Sequence, residues 1–171
     1  MPVPKYKVFE RVGRRTEPVT SFRDLEKHHP SRGREPGRDY DTIEGELEEV
    51  RRMPDGRILI KKDFFLVSDD GKPPHIPAPV AGYTRRLGDK TNALRIYSKP
   101  FGTPGARLLA QSLHGKLGTL PPDGTLVKRG DSIGVMGDVG SPGSIHAHLE
   151  MTLDDWKDYI PAIITGDWNN D

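Results

Sequence analysis

The chain contains no cysteine, so neither a disulfide framework nor a thiolate zinc site is open to it, and any metal must be held by histidine and carboxylate. Charge of one sign is equally scarce: 26 Lys+Arg against 25 Asp+Glu leave a formal charge of +1. A nearly neutral chain has no global field to gather nucleic acid or an anionic membrane. The basic clusters at residues 11–15 and 32–38 therefore read as solvated surface. There is no apolar run of the roughly 18 residues a membrane helix needs, and residues 1–7 lack the apolar stretch of a signal peptide. A soluble protein made without a standard export signal, and not inserted in a membrane, is expected.

What is present favours β structure. The 171 residues suffice for one main domain with a real core. Hydrophobic residues make up only 33 %, while 19 glycines and 16 prolines imply many turns between short elements. Residues 6–12 read as a strand and 21–27 as a short helix capped by Thr20 or Ser21. Residues 28–41, dense in Pro, Gly and charge, read as a loop. Residues 46–53 and 58–67 flank the turn Pro54-Asp55-Gly56-Arg57 as a hairpin. Further strands are expected at 80–86 and 93–97. The run 105–114 is a strand or a helical turn, and 123–137 alternates short apolar pairs with Gly turns. Helical spacing over 153–160 is expected to stop at Pro161. The domain reading is an N-terminal segment over 1–45, a β-rich core over 46–160 and a tail over 161–171.

Residues 143–151 carry the strongest chemical signal. Ile145, Ala147, Leu149 and Met151 alternate with His146, His148 and Glu150, the mark of a strand with one apolar and one polar face. Side chains two apart on one face lie roughly 6–7 Å from each other, which suits one imidazole on a metal and the other beside a bound water or substrate. Glu150 reads either as a surface carboxylate or as an orienting partner for a metal ligand. His75, between prolines, reads as a packing or surface residue.

The segment Val127-Lys128-x-Gly130-Asp131-x-Ile133-Gly134-x-x-Gly137, a Gly-Ser-Pro-Gly turn at 140–143 and then His146-Ala147-His148-Leu149-Glu150 resembles the C-terminal half of the lysostaphin-type zinc endopeptidases. The segment Ala78-Pro79-Val80-Ala81-Gly82 resembles the strand entry upstream of it in that family. The resemblance implies a mainly β, antiparallel domain of the duplicated hybrid motif kind, here with short N- and C-terminal helices. It also implies cleavage of peptide bonds in peptidoglycan stems or cross-links by one zinc ion. It gives His148 the role of metal ligand and His146 that of acid/base or transition-state stabiliser. His114 is the nearest candidate for a further catalytic histidine, although Gln111 stands about where the family's histidine falls.

The family's first motif, His-x-x-x-Asp shortly before the Ala-Pro segment, has no counterpart as a pentapeptide. Gly37-Arg38-Asp39-Tyr40 fits its second part, with His28-His29 upstream. The expectation is a stretched motif in which His29 and Asp39 are ligands, His28 and Asp41 being close rivals, and the 46–67 hairpin is an insertion. The competing reading is a catalytically silent relative that binds cell wall or regulates another hydrolase. A phosphocarrier domain is disfavoured by the paired histidines on one strand and by the Gly run. Without an export segment, a wall hydrolase is expected to reach the periplasm or the exterior by phage-type lysis or a secretion machine, and a cognate inhibitor is a further expected partner.

Overall fold

The ten residues Ile58–Val67 form the strand on which the sheet is assembled. β-branched and aromatic residues favour the extended backbone. Their alternation buries Ile60, Lys62, Phe64 and Leu66 on one face and leaves Lys61, Asp63 and Phe65 toward the other. The computed structural model describes residues 2–27 and 50–169. In chain order it contains strands β1 (Lys7–Val12) and β2 (Arg15–Val19), helix α1 (Phe22–Lys27), and strands β3 (Val50–Arg52), β4 (Ile58–Val67), β5 (His75–Pro77), β6 (Gly82–Arg86), β7 (Leu94–Tyr97), β8 (Leu108–Leu113), β9 (Leu126–Val127), β10 (Ser132–Val135) and β11 (Ala147–Met151), followed by helix α2 (Leu153–Thr165). Over the described residues the protein is thus mainly β, with antiparallel pairing and two helices.

The large sheet runs β2-β1-β4-β11-β8-β7-β6-β9, with β3 also on β4, while β5 and β10 pair separately. The hairpin expected over 46–67 forms as β3 and β4, pairing Val50 with Ile60 and Arg52 with Ile58. It is no appendage: β4 pairs with β11 on one edge, while β1 and β3 share the other. The run 105–114 is the strand β8 rather than a helical turn.

Helix α2 closes the opposite face of the sheet. Its buried Trp156, Tyr159, Ile160, Ala162 and Ile163 recur at helical spacing. The Trp156 indole N–H donates to the Ile60 carbonyl at 2.8 Å, and the Tyr159 hydroxyl to that of Pro77 at 2.7 Å. Phe64 meets both rings edge-on, and Phe22 of α1 stacks on Trp156. The helix does not stop at Pro161 as its sequence suggests. It continues to Thr165 and ends at Gly166, whose left-handed φ of 75° lets its N–H reach the Ala162 carbonyl. One lost N–H bond is outweighed here by burial of the turn beyond it, which carries Ala162 and Ile163. The tail also contributes to the core, since Trp168 is buried. Among the described residues no helix is long and apolar enough to cross a membrane.

The glycine run that leads into β11 has a specific packing task. A Cβ added at Gly137 would lie 2.8 Å from the Lys116 amide nitrogen and 2.9 Å from the His114 carbonyl oxygen, both backbone atoms with little freedom to retreat. Gly137→Ala should therefore destabilise the fold by about 1–3 kcal/mol and displace the His114 ring. Chemical denaturation together with imidazole NMR shifts checks this: unchanged stability and unchanged His114 resonances would refute the packing role.

Candidate functional site

The register of β4 against β11 sets Asp63 directly opposite His148. Directly opposed side chains on one sheet face lie within contact distance, and His148 Nδ1 meets Asp63 Oδ1 at 2.7 Å. The other ring nitrogen, Nε2, lies 3.1 Å from Oε2 of Glu150. Glu150 is only 1 % exposed, so it is not the surface carboxylate that its place in the sequence allows. Arg51 Nε donates to its Oε1 at 2.8 Å and Gln111 Nε2 to its Oε2 at 3.1 Å, so the buried charge is paired and hydrogen-bonded, as burial requires.

Two more histidines converge from loops. His146 lies just before β11, held by the bridge of its N–H to the Gly137 carbonyl at 3.2 Å. The alternation expected from residue 143 therefore begins only at Ala147: Ile145 is 57 % exposed and His146 is buried. His146 Nε2 lies 3.6 Å from Asp63 Oδ1. His114 follows β8 with a left-handed φ of 68°, a conformation costly for a residue with a Cβ and common where a side chain must be aimed. Its ring centroid is 4.9 Å from that of His146 and 5.8 Å from that of His148.

Backbone carbonyls fix two of the tautomers. His146 Nδ1 lies 2.7 Å from the Ser144 carbonyl and His114 Nδ1 2.7 Å from that of Val139. A carbonyl only accepts, so each Nδ1 carries hydrogen and donates it, which leaves Nε2 with a lone pair in the neutral ring. Burial is the main cause of a lowered His114 pKa, so that ring is neutral at neutral pH. His148 is different. Burial alone would depress it, but hydrogen bonds and charge from Asp63 and Glu150 outweigh that and raise its pKa to about 9. For Glu150, burial pulls the pKa upward, but His148 and Arg51 hold it down at about 2. The Asp63 carboxyl is also lowered: burial opposes ionisation, and the histidines, His148 first, overcome it.

Asp63, His114 and His146 line a cleft of about 520 Å³ together with Arg11, Gly13 and Phe65. Of the residues expected from sequence, the structure brings together His114, His146 and His148. His29 and Asp39, with their rivals His28 and Asp41, lie outside the described residues. His75 is exposed, bonds Ser132 Oγ through Nδ1 at 2.8 Å and lines a separate cleft with Tyr6 and Lys116. Asp63 was not expected, nor were Arg51 and Gln111. Asp63 does stand shortly before the Ala78-Pro79 segment, where the first motif of the resembled family ends, but the residue four positions earlier is the buried Leu59.

The donor chemistry fits a pair of zinc ligands. Glu150 on Nε2 of His148 is the carboxylate partner that metal-bound imidazoles commonly have. It directs Nδ1 toward Asp63, with one proton shared between them. Among the described residues no three His, Asp or Glu side chains are grouped to hold a metal, so a third protein ligand would have to come from elsewhere in the chain. The chain matches no known protein-family model and no curated protein.

The shifts fix a pH dependence for the metal-free protein. His148, raised from 6.5 to about 9, contributes stability that is whole below pH 6.5 and lost as pH rises through 9. Glu150, depressed from 4.5 to about 2, contributes above pH 4.5 and ceases to as pH falls through 2. In chelator-treated protein, unfolding free energy should fall between pH 6.5 and 9 by at most roughly 1.4 kcal/mol per unit. His148→Ala should flatten that limb. A variant with an unaltered alkaline limb would show that the imidazolium is not the group responsible.

Proposed function

We propose that the protein is a zinc-dependent endopeptidase of the lysostaphin-type kind that cleaves peptide bonds in bacterial peptidoglycan. The supporting observation is the convergence of Asp63, His148, His146 and His114, from two strands and two loops, with Asp63, His146 and His114 lining one open cleft. Asp63 Oδ1 and His148 Nδ1 would hold the ion, together with His29, the ligand expected from the sequence, which lies outside the described residues. Zinc so placed supplies Lewis acidity, polarising the scissile carbonyl and acidifying a water.

The remaining roles belong to the chain's own side chains. In His146 and His114 a backbone carbonyl holds Nδ1–H in place, which leaves Nε2 as the ring's other protonation site. Either ring can therefore take a proton at Nε2 from the attacking water and return it to the leaving amine. Once protonated, the same Nε2–H donates to the oxyanion that develops on the carbonyl. Glu150, with Arg51 and Gln111 fixing both of its oxygens, keeps the His148 ring from turning.

The alternative, a silent relative that binds cell wall or regulates another hydrolase, draws on Leu59 standing four residues before Asp63, where the family carries histidine. Metal content and turnover separate the two. Protein purified without chelator should carry about one zinc and solubilise purified sacculi. Asp63→Ala and His148→Ala should each lose zinc and activity together. His146→Ala and His114→Ala should keep zinc while kcat falls roughly 10²–10⁴-fold. Metal-free, inactive wild type would leave only the binding reading.

A further inference from the structure

The site face of the sheet carries a row of directly opposed residues that continues well beyond the histidines. Register pairs Lys61 with Glu150, Glu150 with Gln111, Gln111 with Arg95, and Arg95 with Arg85, so five strands contribute to one line on one face. At its far end two arginines stand opposite each other. Like charges directly opposed in a sheet are destabilising, and among the described residues no carboxylate relieves them. Glu150 is already matched by Arg51 and His148, and Asp55 by Arg57 and Arg107. Among the described residues no carboxylate forms an ion pair with Arg85 or Arg95.

Both guanidinium groups are nevertheless held in place. Arg95 Nε donates to Gln111 Oε1 at 2.7 Å, and its Nη1 lies 3.5 Å from the Tyr97 hydroxyl. Arg85 lies over the Phe101 ring, 3.5 Å from its centroid, and that ring, 54 % exposed, packs against Tyr97. Gln111 is buried and spends its amide on Glu150, which ties the far end of the row to the carboxylate behind His148. Two fixed, unneutralised guanidinium groups present the planar donors that suit a carboxylate.

We propose that Arg85 and Arg95 form a subsite for a carboxylate of an acidic peptide that lies across the strands toward Asp63 and His148. The assignment rests on the hydrolase reading and specifies its substrate. Arg95 is two strand spacings from β11 and Arg85 three, roughly 10 and 14 Å. At ~3.3 Å per extended residue, the recognised carboxylate lies about three or four residues from the bond to be cut. Arg85 and Arg95 are specificity residues and do not touch the reacting atoms.

Equilibrium titration of the full chain, treated with chelator so that nothing is cleaved, tests this. The probes are stem peptides released from sacculi, before and after carbodiimide amidation of their carboxyl groups. Wild type should bind the carboxylate form roughly tenfold or more tightly than the amidated form, with affinity falling as salt rises. R85Q and R95Q should each lose most of that preference, and the double variant all of it. R85Q should keep the wild-type Tm, because it removes an opposed like charge and leaves the Arg95–Gln111 bond intact; it therefore reads the subsite even if R95Q folds poorly. Equal binding of both forms by wild type, or a preference that survives in R85Q, would overturn the proposal. Protein that prefers the carboxylate form yet never cleaves sacculi would overturn the hydrolase reading and keep the subsite. Cleavage without preference would do the reverse.

Discussion

One register, Asp63 of β4 against His148 of β11, determines most of what surrounds it. Slipping that pairing by a single residue would turn Asp63 and His148 to opposite faces and carry either Phe64 or Leu149 out of the core. The apolar face therefore enforces the polar one. Phe64, Ile60 and Leu66 are fixed beneath α2 by Trp156 and Tyr159, and this packing leaves Asp63 only one place to be.

Electrostatics complete what packing begins. An imidazole between two carboxylates is stable only as a cation or beside one, and here each of its nitrogens faces a carboxylate oxygen. Glu150 would be costly at 1 % exposure if it were unpaired. Arg51 and Gln111 satisfy it from β3 and β8, so four strands share one hydrogen-bonded group. The two loop histidines are held differently, each by a backbone carbonyl at Nδ1. Negative charge from Asp63 and Glu150 is thereby concentrated around His148, while burial keeps the His114 ring neutral. That division suits a site in which one imidazole binds a cation and two others handle protons.

Much of this was legible in the sequence. The mainly β, antiparallel character followed from turn density and alternation, and the β3–β4 hairpin from Pro54-Asp55-Gly56. His114, His146 and His148 were marked by spacing and by resemblance, and they do converge. Asp63 escapes a motif search because Leu59, not histidine, stands four residues before it. Its own signal, the single carboxylate within the strand Ile58–Val67 ahead of Ala78-Pro79, is readable without that partner. Burial of Glu150 and Lys62 could not be read from local pattern, because both depend on strands distant in the chain. The passage of α2 through Pro161 was likewise decided by tertiary packing of Ala162 and Ile163 rather than by propensity.

The most direct measurement is anomalous diffraction at the zinc edge from crystals of the full chain grown with zinc. A single strong peak is expected about 2.0–2.2 Å from both His148 Nδ1 and Asp63 Oδ1, with Glu150 still on His148 Nε2 and a third protein ligand completing the set. A peak elsewhere, or none while Asp63 and His148 remain hydrogen-bonded to each other, would contradict the assignment of this pair as metal ligands.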